Sequence, residues 1–341
     1  ALSAVVNAQL KTALTGLTDD LEIQANVTGE PDGLDVRSKI GSFATVDGSV
    51  RWQDQLEVVA DVILDNLDLT AIVEPWPAGF PVSGTINVVA NDATVTVTDS
   101  MLSITGTDAK AFVDAIVDRD SAGVEGQLRW ESLRWPLPAD EVRVESETGD
   151  IRVSGSIDKW QVDGLIAVGT EEMPDGTFVV DVAGTRETVT GRIIEGRVFG
   201  GNAAGEVAYS WSGEQPWSAN LDILNIDLGS IFPELAGRVS GRIDGYGAIQ
   251  PFALHAELDN IDGSIQGVEF QANGAVDVAD GIFEARGLRI EHGESWLILD
   301  GSPTLDTGLA FEARIADANF YVDDVAGELH AKGHARVTGS E

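Results

Sequence analysis

The chain has no cysteine among its 341 residues, which excludes disulfide staples, thiolate nucleophiles and sulfur-ligated zinc. Histidine is almost as scarce, with only His255, His292, His330 and His334. The last two are four residues apart, but Gly333 lies between them and no helical pattern surrounds them, so solvated loop residues are expected and not a metal pair. Neither HExxH, nor a P-loop, nor GxSxG occurs. Basic residues number 21 against 57 acidic ones, a formal charge of −36 spread along the whole chain. Phosphate backbones need clustered cations, so nucleic acid is excluded as a partner. No apolar run approaches the ~18 residues of a membrane span. The first residue is Ala1, with no initiator Met or basic leader ahead of an apolar stretch, which reads as an internal or processed piece of a longer protein.

What is abundant is alternation. From Leu56 onward the even positions Leu56, Val58, Ala60, Val62 and Leu64 are apolar, while Glu57, Asp61 and Asp65 face the other way. The pattern returns at Phe178, Val180 and Val182, at Ala219, Leu221 and Ile223, at Phe252, Leu254, Ala256 and Leu258, and at Leu309, Phe311, Ala313 and Ile315. A period of two is the mark of strands with one dry and one wet face. Glycines such as Gly184, Gly191, Gly196, Gly200, Gly201 and Gly205 read as tight turns between them. Residues 2–14 and 107–117 are expected as short helices, the second capped by Asp108. DNIDG at 259–263 and DVADG at 277–281 lack the alternate ligands and distal Glu of a calcium loop and are also read as turns.

The chain echoes itself. GSVRW at 48–52 returns as GQLRW at 126–130 and as GEVAY at 205–209; DNLDLT at 65–70 and LNIDLG at 224–229 are followed by SGTI at 83–86 and SGRI at 240–243. These echoes suggest one elongated array over 1–341 with approximate units 48–125, 126–204 and 205–283 and a remainder 284–341. Trp52, Trp130, Trp135, Trp211 and Trp217 fall near equivalent positions, which suits packing at strand ends or a rim. The expected fold is all-β. Its oily faces could close in a sandwich, barrel or solenoid, or stay open as a trough, and periodicity does not choose among these.

The segment 126–164, GQLRWESLRWPLPADEVRVESETGDIRVSGSIDKWQVDG, resembles the repeats of the TamB family. Trp130, Leu133, Arg134, Trp135, Pro136 and Leu137 are followed by Gly149, Ser154, Gly155 and Asp158, as in that family's strand, turn and strand pattern. NIDLGSIFPELAGRVSGRIDGYG at 225–247 and GLRIEHGESWLILDG at 287–301 are similar to its other blocks. The style of strand and turn is shared with AsmA-like, bridge-like lipid transport proteins.

The resemblance implies a curved, multi-stranded sheet folded as an open taco. It also implies a periplasmic location, an inner-membrane anchor, phospholipid acyl chains as cargo and an outer-membrane barrel of the Omp85 type as partner. No cofactor, metal or catalytic residue is implied, and the protein is not expected to be an enzyme. Candidate lining positions are Leu56, Val58, Ala60, Val62, Leu64, Phe178, Val180, Val182, Leu221, Ile223, Phe252, Leu254, Leu309, Phe311 and Ile315. Between Leu56 and Leu64 the dry face carries no charge, as a trough for acyl chains requires. The alternative is a secreted or surface β-solenoid adhesin with a closed core.

Overall fold

A computed structural model describes residues 2–10, 21–52, 55–70, 76–137, 144–170, 176–211, 216–233, 235–248, 251–279, 281–304, 308–320 and 327–336. Its contacts divide the chain into two units, Ala1–Asp175 and Gly176–Glu341. The first holds β1 (Leu2–Leu10), β2 (Leu21–Glu30), β3 (Gly33–Ile40), β4 (Ala44–Arg51), β5 (Glu57–Leu67), β6 (Val82–Asn91), β7 (Thr94–Ile104), β8 (Lys110–Asp118), β9 (Val124–Trp135), β10 (Val144–Ser156) and β11 (Lys159–Thr170). The second holds β12 (Gly176–Thr185), β13 (Thr188–Val198), β14 (Gly201–Ser210), β15 (Trp217–Asp227), β16 (Gly237–Ala248), β17 (Ala253–Ile265), β18 (Val268–Ala279), β19 (Ile282–His292), β20 (Ser295–Gly301), β21 (Leu309–Ile315) and β22 (Leu329–Ala335). Two single-turn 3-10 helices, Leu228–Ser230 and Ala318–Phe320, are the only helical elements among the described residues.

Within each unit every strand pairs antiparallel with the one before and the one after, giving a meander of hairpins. A solenoid would stack its strands in parallel, so the closed solenoid core is not formed. Extensive backbone contact between strands is confined to chain neighbours. The echoed segments 48–52 and 126–130 begin in β4 and β9, five reversals apart, and so run in opposite directions.

Three expectations are corrected. The helices expected at 2–14 and 107–117 are strands β1 and β8, with residues 11–14 outside the described set. β8 is apolar at Phe112 and Ile116 as well as at Val113 and Val117, so its alternation is masked; pairing on both sides, with β7 and β9, decides for strand. Its odd ring, Phe112, is covered by the Arg129 guanidinium at 5.6 Å from the ring centroid.

Second, DNIDG is no turn but lies inside β17, where Asn260 has φ 50° at a register shift between Leu258 and Ile261. Third, Gly191, Gly196 and Gly205 sit within β13 and β14 and are not turns. Gly196 makes room for the Phe178 ring, which a Cβ there would approach at 2.9 Å.

Asn260 belongs to a recurring device. Residues with left-handed φ interrupt the ladder at Asn66 in β5, Asp99 in β7, Ser132 in β9, Asn225 in β15, Asn260 in β17 and Gly287 in β19. At five of them the extra backbone N–H is taken by a side-chain oxygen of the next strand. Asn66 donates to Ser83, Asp99 to Asp114, Asn225 to Ser240, Asn260 to Asn273 and Gly287 to Asp300, at 2.8–3.0 Å. Four of these acceptors precede a glycine of positive φ: Gly84, Gly241, Gly274 and Gly301. A Cβ on Gly241 would come within 2.7 Å of the Asn260 carbonyl. Ser-Gly, Asn-Gly and Asp-Gly are thus the acceptor half of a β-bulge, and each bulge bends its strand and adds local twist.

The core is thin. Buried apolar side chains cluster in the second unit around Ile226, Val239, Ile261 and Ala272, beside two bulges.

Candidate functional site

Register carries the alternation of one strand onto the next, and so assigns every paired residue to a face. In the first unit, β5 places Val58, Ala60, Val62 and Leu64 on one side. Opposite them in β4 stand Val50, Gly48, Val46 and Ala44, and in β6 Ala90, Val88, Ile86 and Gly84. Following the ladder outward adds Leu34, Val36, Ser38 and Ile40 in β3, and Val95, Val97, Ser100 and Leu102 in β7. Further on come Val113 and Val117 in β8, Leu128 and Trp130 in β9, Ile151 and Val153 in β10, and Val162 in β11.

From β2 to β11 not one Asp, Glu, Lys or Arg falls on this face in the regularly paired stretches, among the described residues. The second unit repeats the result. Phe178, Val180 and Val182 of β12 lead through Ile193, Val207, Leu221, Ile223, Ile243, Leu258, Val276, Leu288 and Leu299 to Leu309, Phe311 and Ile315 of β21. Its polar members are Tyr209, His292 and Ser295, and the His292 Nε2 lies 2.9 Å from the Ile265 carbonyl.

The bulges explain how the pattern survives. Beyond each one, parity along the strand changes, so Ile226 and Ile261 rejoin the dry side that Ile223 and Leu258 occupy. The charge is collected on the wet side, in exposed cross-strand pairs such as Arg37 with Asp47, Arg242 with Asp222 and Lys332 with Glu312. Such exposed pairs, screened by water, add little to stability. Hydrogen bonding to Asp222, then its charge, holds the Arg242 guanidinium above its usual value. The Thr70 backbone N–H holds Asp68 below the ordinary carboxylate range, and that of Ser121 does the same for Asp118.

Of the expected lining positions, Val58, Ala60, Val62, Leu64, Phe178, Val180, Val182, Leu221, Ile223, Leu254, Leu309, Phe311 and Ile315 stand on the dry face of their own unit. Leu56 and Phe252 precede their strands, in exposed connections at 40% and 57% exposure. Dry-face residues are mostly half-buried, which is less than a sandwich core would give and more than a flat solvated sheet. The sequence reading missed β6 to β11 of this face. It also missed Val59 and Ile63, apolar but on the wet face at 38% and 53% exposure.

Trp130 lies buried over Gly149, where any Cβ would overlap its ring. Its Nε1–H donates to Ser146 Oγ at 2.7 Å, which in turn donates to the Ala167 carbonyl. Trp217 lies over Gly247, where a Cβ would approach its ring at 3.1 Å, and extends over Gly245 at ordinary contact distance. Trp135 instead meets Trp76 at 6.4 Å, and Trp211 meets Tyr209 edge-on at 5.2 Å.

Within each unit, then, the described, regularly paired strands form a meander of amphipathic hairpins that keeps its charged side chains on one face and leaves the other face oily. The family model described as TamB, N-terminal domain, matches residues 104–340. This chain belongs to that family. No curated protein matches it.

Proposed function

We propose that the uncharged face carries phospholipid acyl chains across the periplasm, between the inner and the outer membrane. Moving a phospholipid through water exposes its tails at ~0.8 kcal/mol per CH₂, roughly 20 kcal/mol or more for two chains. A continuous apolar strip removes most of that cost, and a single unpaired charge on it would restore several kcal/mol. The observation that carries the reading is the absence of charge on the described dry face over successive strands, in a chain with 57 acidic residues. Membership of the TamB family supports the periplasmic setting, an inner-membrane anchor elsewhere in the protein, and an Omp85-type outer-membrane barrel as partner. The role is that of a conduit and scaffold, with no bond made or broken.

Photocrosslinking amino acids placed at Val58 and Phe311 should capture phospholipid in cells, while the same probe at Asp61 should not. Equal capture at all three positions, or none at the first two, would sink the proposal.

A further inference from the structure

The wet face of the second unit holds a depression of ≈690 Å³ that the acyl-chain reading does not use. Register explains it. One cross-strand row on this face runs Ala183, Thr190, Ala208, Ser218, Tyr246 and His255, across β12 to β17. Its first four side chains are small, so the row sinks into a slot over four strands, ~14 Å from the first to the last. The end wall is aromatic. Tyr246 stacks on His255 with centroids 4.5 Å apart and an interplanar angle of 28°.

That stack is held from behind. His255 Nδ1 lies 2.7 Å from Asp277 Oδ1, and Asp277 Oδ2 accepts from Arg286 Nε at 2.9 Å. The His255 side chain is only 12% exposed, so the Tyr246 ring, itself 38% exposed, rests on a fixed support. The neighbouring row forms the side wall with Asp181, Arg192, Glu206, Asn220, Asp244 and Glu257. It is rich in acceptors, it holds amide and guanidinium donors, and its four carboxylates outnumber its one cation.

We propose that this slot binds a neutral oligosaccharide. Sugar rings present an apolar C–H face that packs on an aromatic platform, and hydroxyls that pair with carboxylates and amides, the groups that line the wall. A floor ~14 Å long fits about two or three rings lying across the strands. The excess of carboxylates turns away phosphate and uronate groups, so the ligand differs in class from a phospholipid headgroup. The two faces of one sheet would thereby serve two cargoes, and the glycan contact would hold the protein beside a polysaccharide while the other face conducts.

The test is titration of the whole chain with cellotriose, chitotriose and maltotriose, followed by calorimetry and ligand-observed NMR, with a uronate trisaccharide and spermidine as charged comparisons. At least one neutral trisaccharide should bind, and the uronate should bind more weakly. Tyr246→Ala, which removes the platform, and Ala208→Gln, which fills the slot, should each weaken binding about tenfold without moving the melting temperature or the lipid content. The proposal is overturned by the absence of neutral-sugar binding, by binding of spermidine alone, or by affinities that neither variant changes. Lipid photocapture at Val58 and Phe311 reads the other face, so failure of one reading is distinguishable from failure of the other.

Discussion

Val62→Arg is the sharpest perturbation of the dry face. Val62 lies mid-strand, between Val46 and Ile86 on the flanking strands, with Ala60 and Leu64 beyond it on the same side. Among the described residues no carboxylate stands on that face to pair with a guanidinium there. In the empty protein the site is half-buried, so the arginine can extend its head to water and folding should lose only ~1 kcal/mol. Covered by acyl chains, the same head has neither water nor partner, a cost of several kcal/mol.

Taking ~3 kcal/mol, lipid affinity should fall about a hundredfold. The control is one residue away: Asp61→Arg changes charge further but points to the wet side, opposite Asp47 and Asn87. Phospholipid measured by mass spectrometry on the purified variants, with thermal melting alongside, separates affinity from stability. Were Val62→Arg to retain the lipid of the parent, or Asp61→Arg to lose as much, the assignment of the dry face to lipid would be wrong.

Other outcomes follow from individual contacts. Gly149→Val should displace the buried Trp130 ring, destabilising by ~1–3 kcal/mol and flattening the near-UV circular dichroism of the first unit. Ser240→Ala removes the acceptor of the Asn225 N–H, which should cost ~1 kcal/mol and speed hydrogen exchange at Asn225 more than at its neighbours. Hydrogen bonds from Arg314 and then His330 hold Glu328 below the ordinary Glu range. A depressed carboxyl contributes stability above its unfolded pKa and loses it as pH falls through the folded value. The β21–β22 hairpin should therefore lose exchange protection on the acid side, and Glu328→Gln should flatten that loss.

Much of the dry face was legible from alternation because a half-buried strand with one solvated side must show it. Val58 to Leu64, Phe178 to Val182 and Leu309 to Ile315 were all found this way. The remainder was hidden by two physical causes. Bulges shift parity, so a strand such as β17 reads as two short out-of-phase pieces, with DNIDG between them resembling a turn. Shielded apolar residues on the wet side erase alternation altogether: Phe112 beneath Arg129 made β8 look like a helix.

Glycine misled for a related reason. Within these strands it supplies space for a neighbouring ring, as Gly196 does for Phe178 and Gly149 for Trp130, and that space is set by a residue far away in sequence. The sugar-sized slot was invisible for the same cause, since Ala183, Thr190, Ala208 and Ser218 become a row only once register aligns them.

The non-ladder residues Asn66, Asp99 and Ser132 follow one another at a constant spacing of 33 residues, always on alternate strands that run the same way. The unit of growth is therefore a hairpin carrying one bend. Inserting or deleting a whole hairpin leaves the sorting of oil and charge untouched and changes the width of the sheet by ~10 Å. Losing a single residue between a turn and a bulge would instead turn the strand over and put its acids among the valines. Such a chain can be lengthened freely in pairs of strands, while single-residue indels inside strands are nearly forbidden.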